Sequence, residues 1–215
     1  MQKWIIKLEL KTLNKTTIFI LMLSLIFVYG CATFSELTGF AASEITFKQG
    51  IKKINELDEK YEVDLKTAPS AMDDVEELLT QFIGFKAVNE LPEPLEYLLD
   101  FKIKFLEAEK LNLEGWQWGK GSTTDYGFGC RKGYARVKEA AKLRNQSAQK
   151  GYEAVDALQK FVDQYPKQAK SLDLGQKDVL VLNALYFQIE EKAIKDDKII
   201  ESACGGKGYN ATLSE

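Results

Sequence analysis

The alternation of hydrophobic and polar residues predicts a helical protein. From about residue 44 onward, apolar residues recur at intervals of three and four, and charged residues occupy the positions between them, as expected for amphipathic helices. Glycine- and proline-containing segments divide this pattern into five predicted helices, at about 44–59, 70–85, 95–113, 131–165 and 176–203. We predict an all-α fold, an up-and-down bundle of four long helices plus a shorter N-terminal helix, joined mainly by short connections.

Three of the predicted helices carry further expectations about packing or exposure. The helix at 131–165 would be ~50 Å long, and small residues near its middle, including Ala148 and Gly151, allow a neighbouring helix to approach closely. The segment Val179–Ile189 is nearly all apolar, which predicts that it is the buried centre of the last helix. In the first helix, Asp58 is expected on the outer, solvated face.

One segment, 115–129, interrupts the helical pattern. It contains five glycines in fifteen residues, which predicts a loop rather than a regular element. It also concentrates aromatic rings, and exposed rings of this kind stack on sugars or anchor partner proteins. The alternative is that the rings close one end of the bundle. The candidate binding residues are Trp116, Trp118, Tyr126 and Phe128.

The N-terminal region has the composition of an export signal. Four lysines and one acid, Glu9, precede Thr17–Val28, a run of twelve residues without charge. A basic head followed by a short apolar core is typical of a secretory signal, and the run is shorter than the ~20 residues that a transmembrane helix needs. The following residues, Val28-Tyr29-Gly30-Cys31, resemble a prokaryotic lipobox, although a residue smaller than Tyr29 is usual at its position.

This resemblance implies that Cys31 is lipidated and becomes the N-terminus of the mature chain. We therefore predict a signal peptide at 1–30, a tether at 31–43, a helical domain at 44–204 and a flexible tail at 205–215. The mature protein would be anchored by lipid to the cell membrane and would face the extracytoplasmic side. An uncleaved signal anchor and a cytoplasmic protein with a buried N-terminal helix are the alternatives.

Composition excludes several classes of function. Histidine is absent, which removes Ser-His-Asp and Cys-His catalysis and histidine-ligated metal centres. The chain has a net charge of −3, and removal of 1–30 leaves about −6. Without a basic block, this charge argues against nucleic-acid binding. We expect no metal and no cofactor.

The remaining cysteines form an even pair. If Cys31 carries lipid, Cys130 and Cys204 are left in an oxidising compartment, where a disulfide is the expected state. Such a bond closes a loop of ~73 residues and would stabilise the fold by roughly 4 kcal/mol in the loop-entropy description.

These observations favour a non-enzymatic envelope lipoprotein with a structural or protein-interaction role. The rival hypothesis is an extracytoplasmic module that binds a glycan or a small solute through Trp116 and Trp118. A third, remote hypothesis is a hydrolase that uses paired carboxylates, as sugar hydrolysis requires.

Overall fold

The described part of the protein is helical throughout. The computed structural model describes residues 45–119 and 130–204, and in the second range the side chains from Tyr134 onward. These residues are 85% helical and contain no strand, which confirms the predicted all-α class. None of the helices among them combines the length and the apolar content that crossing a membrane requires.

Six helices are present in these two ranges. The short α5 begins at Pro166 and was not predicted. The other five correspond to the predicted helices, with ends shifted by a few residues in most cases. The bounds are α1 Phe47–Lys60, α2 Met72–Val88, α3 Glu93–Gly119, α4 Cys130–Gln164, α5 Pro166–Ser171 and α6 Gln176–Cys204.

The first helix begins at a capping box. The side-chain oxygen of Thr46 accepts a hydrogen bond from the backbone N–H of Gln49, and the side chain of Gln49 accepts one from the backbone N–H of Thr46 at 2.9 Å. Two backbone donors that the helix leaves unpaired are satisfied in this way. The start of α1 is therefore fixed by local sequence.

The helix α3 packs antiparallel against α4, and two glycines set the close approach. A Cβ atom added to Gly115 would lie 3.2 Å from the backbone oxygen of Ala140, and one added to Gly119 would lie 3.0 Å from the guanidinium of Arg144. Nearer the middle, Ser147 donates a hydrogen bond to the backbone oxygen of Ala108 at 2.8 Å. The predicted loop beginning at residue 115 was therefore wrong for 115–119, because these glycines face a neighbouring helix instead of making a turn.

The last helix, α6, also packs antiparallel against α4. The ring of Tyr186 fills a notch at Gly151, where an added Cβ would be only 2.1 Å from the ring. The same seam contains an ion pair between Arg144 and Asp196 at 2.6 Å and a hydrogen bond from Tyr152 to Glu190 at 2.8 Å. These contacts fix which side of α6 is buried.

The prediction that Val179–Ile189 is a buried centre was wrong in part. Val179, Leu182 and Tyr186 are buried, and Tyr186 lies against Gly151 of α4, but the other residues of 180–188 face outward, including Leu180 and Phe187. Among the described helices, α4 is the one that α6 packs against extensively. A helix with one packing neighbour buries one stripe, so the remaining apolar positions stay exposed.

A buried ion pair joins α1 to α3, and it corrects the expectation that Asp58 faces solvent. The ammonium of Lys102 lies 3.0 Å from the carboxylate of Asp58, and the side chains are 1% and 5% exposed. Lys102 also donates a hydrogen bond to the backbone oxygen of Asp64 at 2.7 Å. Asp58 follows Ile54 by four residues and lies next to Leu57, which places it on the apolar side of α1.

Candidate functional site

Several predicted site residues lie outside the described part of the chain. These are the lipidation residue Cys31 and the aromatic residues Tyr126 and Phe128; the side chain of Cys130 is also outside it. Cys204 is described and is buried at the end of α6, in a cluster with Tyr134, Val137 and Ile200. Tyr134 is one turn beyond Cys130 on α4. The disulfide between Cys130 and Cys204 stays a prediction.

The two tryptophans predicted to act together do not share a surface. Both lie on the last turn and a half of α3, and they are 55% and 38% exposed. Since successive residues of a helix are rotated by about 100°, Trp116 and Trp118 point to nearly opposite sides. They cannot form one stacking platform for a ligand.

Trp116 forms part of a groove of about 390 Å³. Asn112 and Leu113 of α3 lie beside it, Arg144 comes from α4, and Ile189 and Lys192 come from α6. The volume is within the range of small-molecule sites. Asp196 binds both cations of this region, at 2.6 Å from Arg144 and 3.2 Å from Lys192, so the groove combines an aromatic wall with an ion-pair network.

A second candidate, an apolar surface, lies on the outside of α6, and it was not predicted from the sequence. Leu180 is 68% exposed and Phe187 is 52% exposed. Single exposed apolar residues are common on protein surfaces, but a contiguous group marks an interaction site. We call this group the α6 face; it consists of Leu180, Val181, Ala184, Leu185 and Phe187.

The signal for the α6 face was present in the sequence, though it did not reveal which residues are outside. Residues 179–182 are all apolar, and an amphipathic helix with one packing neighbour needs only every third or fourth position to be apolar. An excess of apolar residues is compatible with burial on all sides or with a second partner. Because α6 packs mainly against α4 and its outer apolar residues are exposed, burial on all sides is excluded for the described ranges.

Burial changes the acidity of groups at two places in the interior. Desolvation raises the pKa of Asp58 to about 6, despite the opposing effect of Lys102, and it lowers the pKa of Lys102. Burial also raises the pKa of the Tyr186 hydroxyl and that of the Glu109 carboxyl. Both places lie inside helix contacts, and the Asp58–Lys102 pair joins α1 to α3.

Acidic side chains are the remaining candidates for metal binding and for catalysis. Within 45–119 and 130–204, no three cysteine, aspartate or glutamate side chains converge as metal ligands would. Two carboxylates of the acidic start of α2 are engaged in ion pairs, Glu76 with Lys110 and Glu77 with Lys60.

No family model, curated protein or solved structure matches the chain.

Proposed function

We propose that the protein is a non-enzymatic, membrane-tethered lipoprotein of the cell envelope, and that it binds a protein partner through the α6 face. The observation that carries this proposal is the exposure of Leu180 and Phe187 on a helix whose other side is packed. Burying one such side chain stabilises a complex by about 1.5–3 kcal/mol. The α6 face therefore has enough apolar surface for a specific contact.

The anchor and the fold complete the proposal. Export and lipidation at Cys31 are supported by the basic head, the short apolar core and the lipobox-like residues. The complete up-and-down bundle, with its glycine- and aromatic-rich loop, is supported by the antiparallel packing of α3 on α4 and of α4 on α6. An exposed α6 would then present its face to other proteins of the envelope.

The test uses the native full chain, taken from membranes with mild detergent, and the proteins that travel with it. Phe187→Glu places a charge in the middle of the α6 face, and we expect at least about a tenfold loss of the bound partner. Gln149→Glu is the matched control, since it adds the same charge at an exposed position on α4. Equal partner recovery from the two variants would contradict the proposal.

The anchor is tested separately by mass spectrometry of the N-terminus. The proposal predicts a diacylglyceryl-modified Cys31 as the first residue. An intact Met1, or an unmodified Cys31 at the new terminus, would show that the chain is not anchored by a lipid on Cys31.

A second candidate function is the binding of a small polar solute or a glycan, and the groove at Trp116 favours it. A sugar ring stacked on Trp116 would have Asn112 and Arg144 within the same groove as hydrogen-bonding groups. Tryptophan fluorescence of the chain is expected to change on titration with such a ligand, and Trp116→Phe should remove the change. Trp118→Phe is the control on the other side of α3; a response that survives Trp116→Phe excludes this groove.

A further inference from the structure

We propose that the occupant of the α6 face is a second copy of this chain, bound in an antiparallel arrangement with the two helices crossing at Ala184. This inference rests on the proposed function, because it names the partner of that same surface.

Five exposed residues form a regular pattern along α6: Lys177, Leu180, Ala184, Phe187 and Glu191. Lys177, Ala184 and Glu191 are spaced by seven residues, so they lie nearly on one line along the helix. Leu180 and Phe187 are also seven apart, and both lie on the same side of that line. All five side chains are exposed.

This pattern is complementary to itself when the second helix runs in the opposite direction. If Ala184 lies opposite Ala184 of the second copy, then Leu180 meets Phe187 of that copy, and the reciprocal contact forms as well. Lys177 likewise meets Glu191, again twice. An interface with two-fold symmetry requires this reciprocity, in which the same surface serves both subunits.

Charge favours the antiparallel over the parallel arrangement. Neither Lys177 nor Glu191 belongs to an ion pair within the described ranges. A parallel pair in register would place Lys177 against Lys177 and Glu191 against Glu191, which is unfavourable. The antiparallel pair joins opposite charges at both ends, and the small Ala184 at the centre allows the helices to approach closely.

The size of the contact predicts a weak dimer. The stretch 177–191 is ~21 Å long, so the interface falls in the small class that is typical of transient complexes. Tethering to one membrane would raise the effective concentration of the copies and favour the dimer there. The association is therefore best measured with the full chain in its membrane.

The experiment uses cross-linking through Ala184→Cys in the full chain, expressed in membranes and treated with a mild oxidant. Wild-type chain is treated in parallel, because it contains Cys31, Cys130 and Cys204. We expect a covalent dimer of the Ala184→Cys chain above the wild-type background. In the Ala184→Cys chain, a further Lys177→Glu or Glu191→Lys substitution alone should lower the cross-linked fraction at least about threefold. The double charge reversal should restore it, because it recreates both opposite-charge pairs.

Two outcomes would overturn the inference. The first is no cross-link above the wild-type background. The second is a cross-link that the single charge reversals leave unchanged, as a parallel pair predicts. Because Lys177 and Glu191 are exposed, their reversal should leave the thermal unfolding midpoint unchanged.

Failure of this inference is distinguishable from failure of the proposed function. A different protein or the membrane surface on the α6 face gives no copy-to-copy cross-link at residue 184. If Phe187→Glu still loses a partner that Gln149→Glu retains, the α6 face binds a different protein and only the second-copy assignment falls. If the two variants also behave alike, both proposals fall.

Discussion

At the scale of single residues, glycine determines how closely the helices approach. Gly151 leaves the space that the Tyr186 ring occupies, and Gly115 lies against the backbone of α4. Glycine in the middle of a helix costs about 0.5–1 kcal/mol in conformational entropy relative to alanine. Close packing of a large ring offsets this cost at residue 151.

We expect Gly151→Ala to destabilise the protein by about 1–3 kcal/mol, because the added methyl group would overlap the Tyr186 ring and force it to move. The free energy of unfolding in urea is the measurement. Gly175→Ala is the control, since an added Cβ there meets nothing within 4 Å. A loss of stability as large for Gly175→Ala would show that the ring contact is not the cause.

The buried ion pair of Asp58 and Lys102 also fixes how two helices pack, since it joins α1 to α3. Breaking a buried ion pair by removing one partner leaves an uncompensated charge and typically costs 3–5 kcal/mol. We therefore expect Lys102→Met, which leaves the buried Asp58 without its cation, to lower the free energy of unfolding by about 3 kcal/mol at pH 7. A neutral effect would mean that the Asp58–Lys102 pair does not stabilise the fold.

Asp58→Asn, which does not titrate, tests the raised pKa of Asp58, about 6 in the folded protein against 3.8 for the free side chain. Between these values the folded state binds the proton and the unfolded state does not, so this group's contribution to stability increases as pH falls. We expect the unfolding free energy of wild type, relative to that of Asp58→Asn, to rise by about 1–3 kcal/mol from pH 7 to pH 4. A difference that stays constant over this range would show that the pKa of Asp58 is not raised.

At the scale of elements, periodicity was sufficient to predict five of the six described helices. It failed at Gly115–Gly119, because glycine can also occur inside a helix where a neighbouring helix packs too closely to leave room for a side chain. Here that neighbour is α4. It also failed for the outer side of α6, since an apolar sequence does not state how many partners a helix has. Trp116 was identified as a candidate, but its groove depends on Arg144 and Lys192, which are distant in sequence.

Two adjacent residues of α6 test the assignment of its buried and exposed sides. Leu182 is 4% exposed and Val181 is 59% exposed. Leu182→Ala should cost about 2–5 kcal/mol, because it leaves a cavity against α4, whereas Val181→Ala should change stability by no more than about 0.5 kcal/mol. Urea unfolding of the dilute, monomeric chain measures both. Similar losses for the two variants would mean that both sides of α6 are packed.

At the scale of the whole molecule, the proposed anchor, the helical fold and the exposed side of α6 fit a single role. An export signal and a lipid at Cys31 would hold the protein at the membrane, and its helices would present α6 outward. The buried seam of α6 is occupied by α4, so its exposed apolar side is available to a partner without unfolding any helix. A protein whose role is attachment and contact needs these features and no catalytic group.

The central claim is that the α6 face is covered by another protein in the cell. Its most direct test replaces Phe187 with a photo-crosslinking phenylalanine analogue in the full chain, followed by illumination of intact cells. We expect a discrete covalent adduct from position 187 and none from the same analogue at the exposed Gln149. The absence of an adduct at 187, or equal yields at 187 and 149, would contradict it.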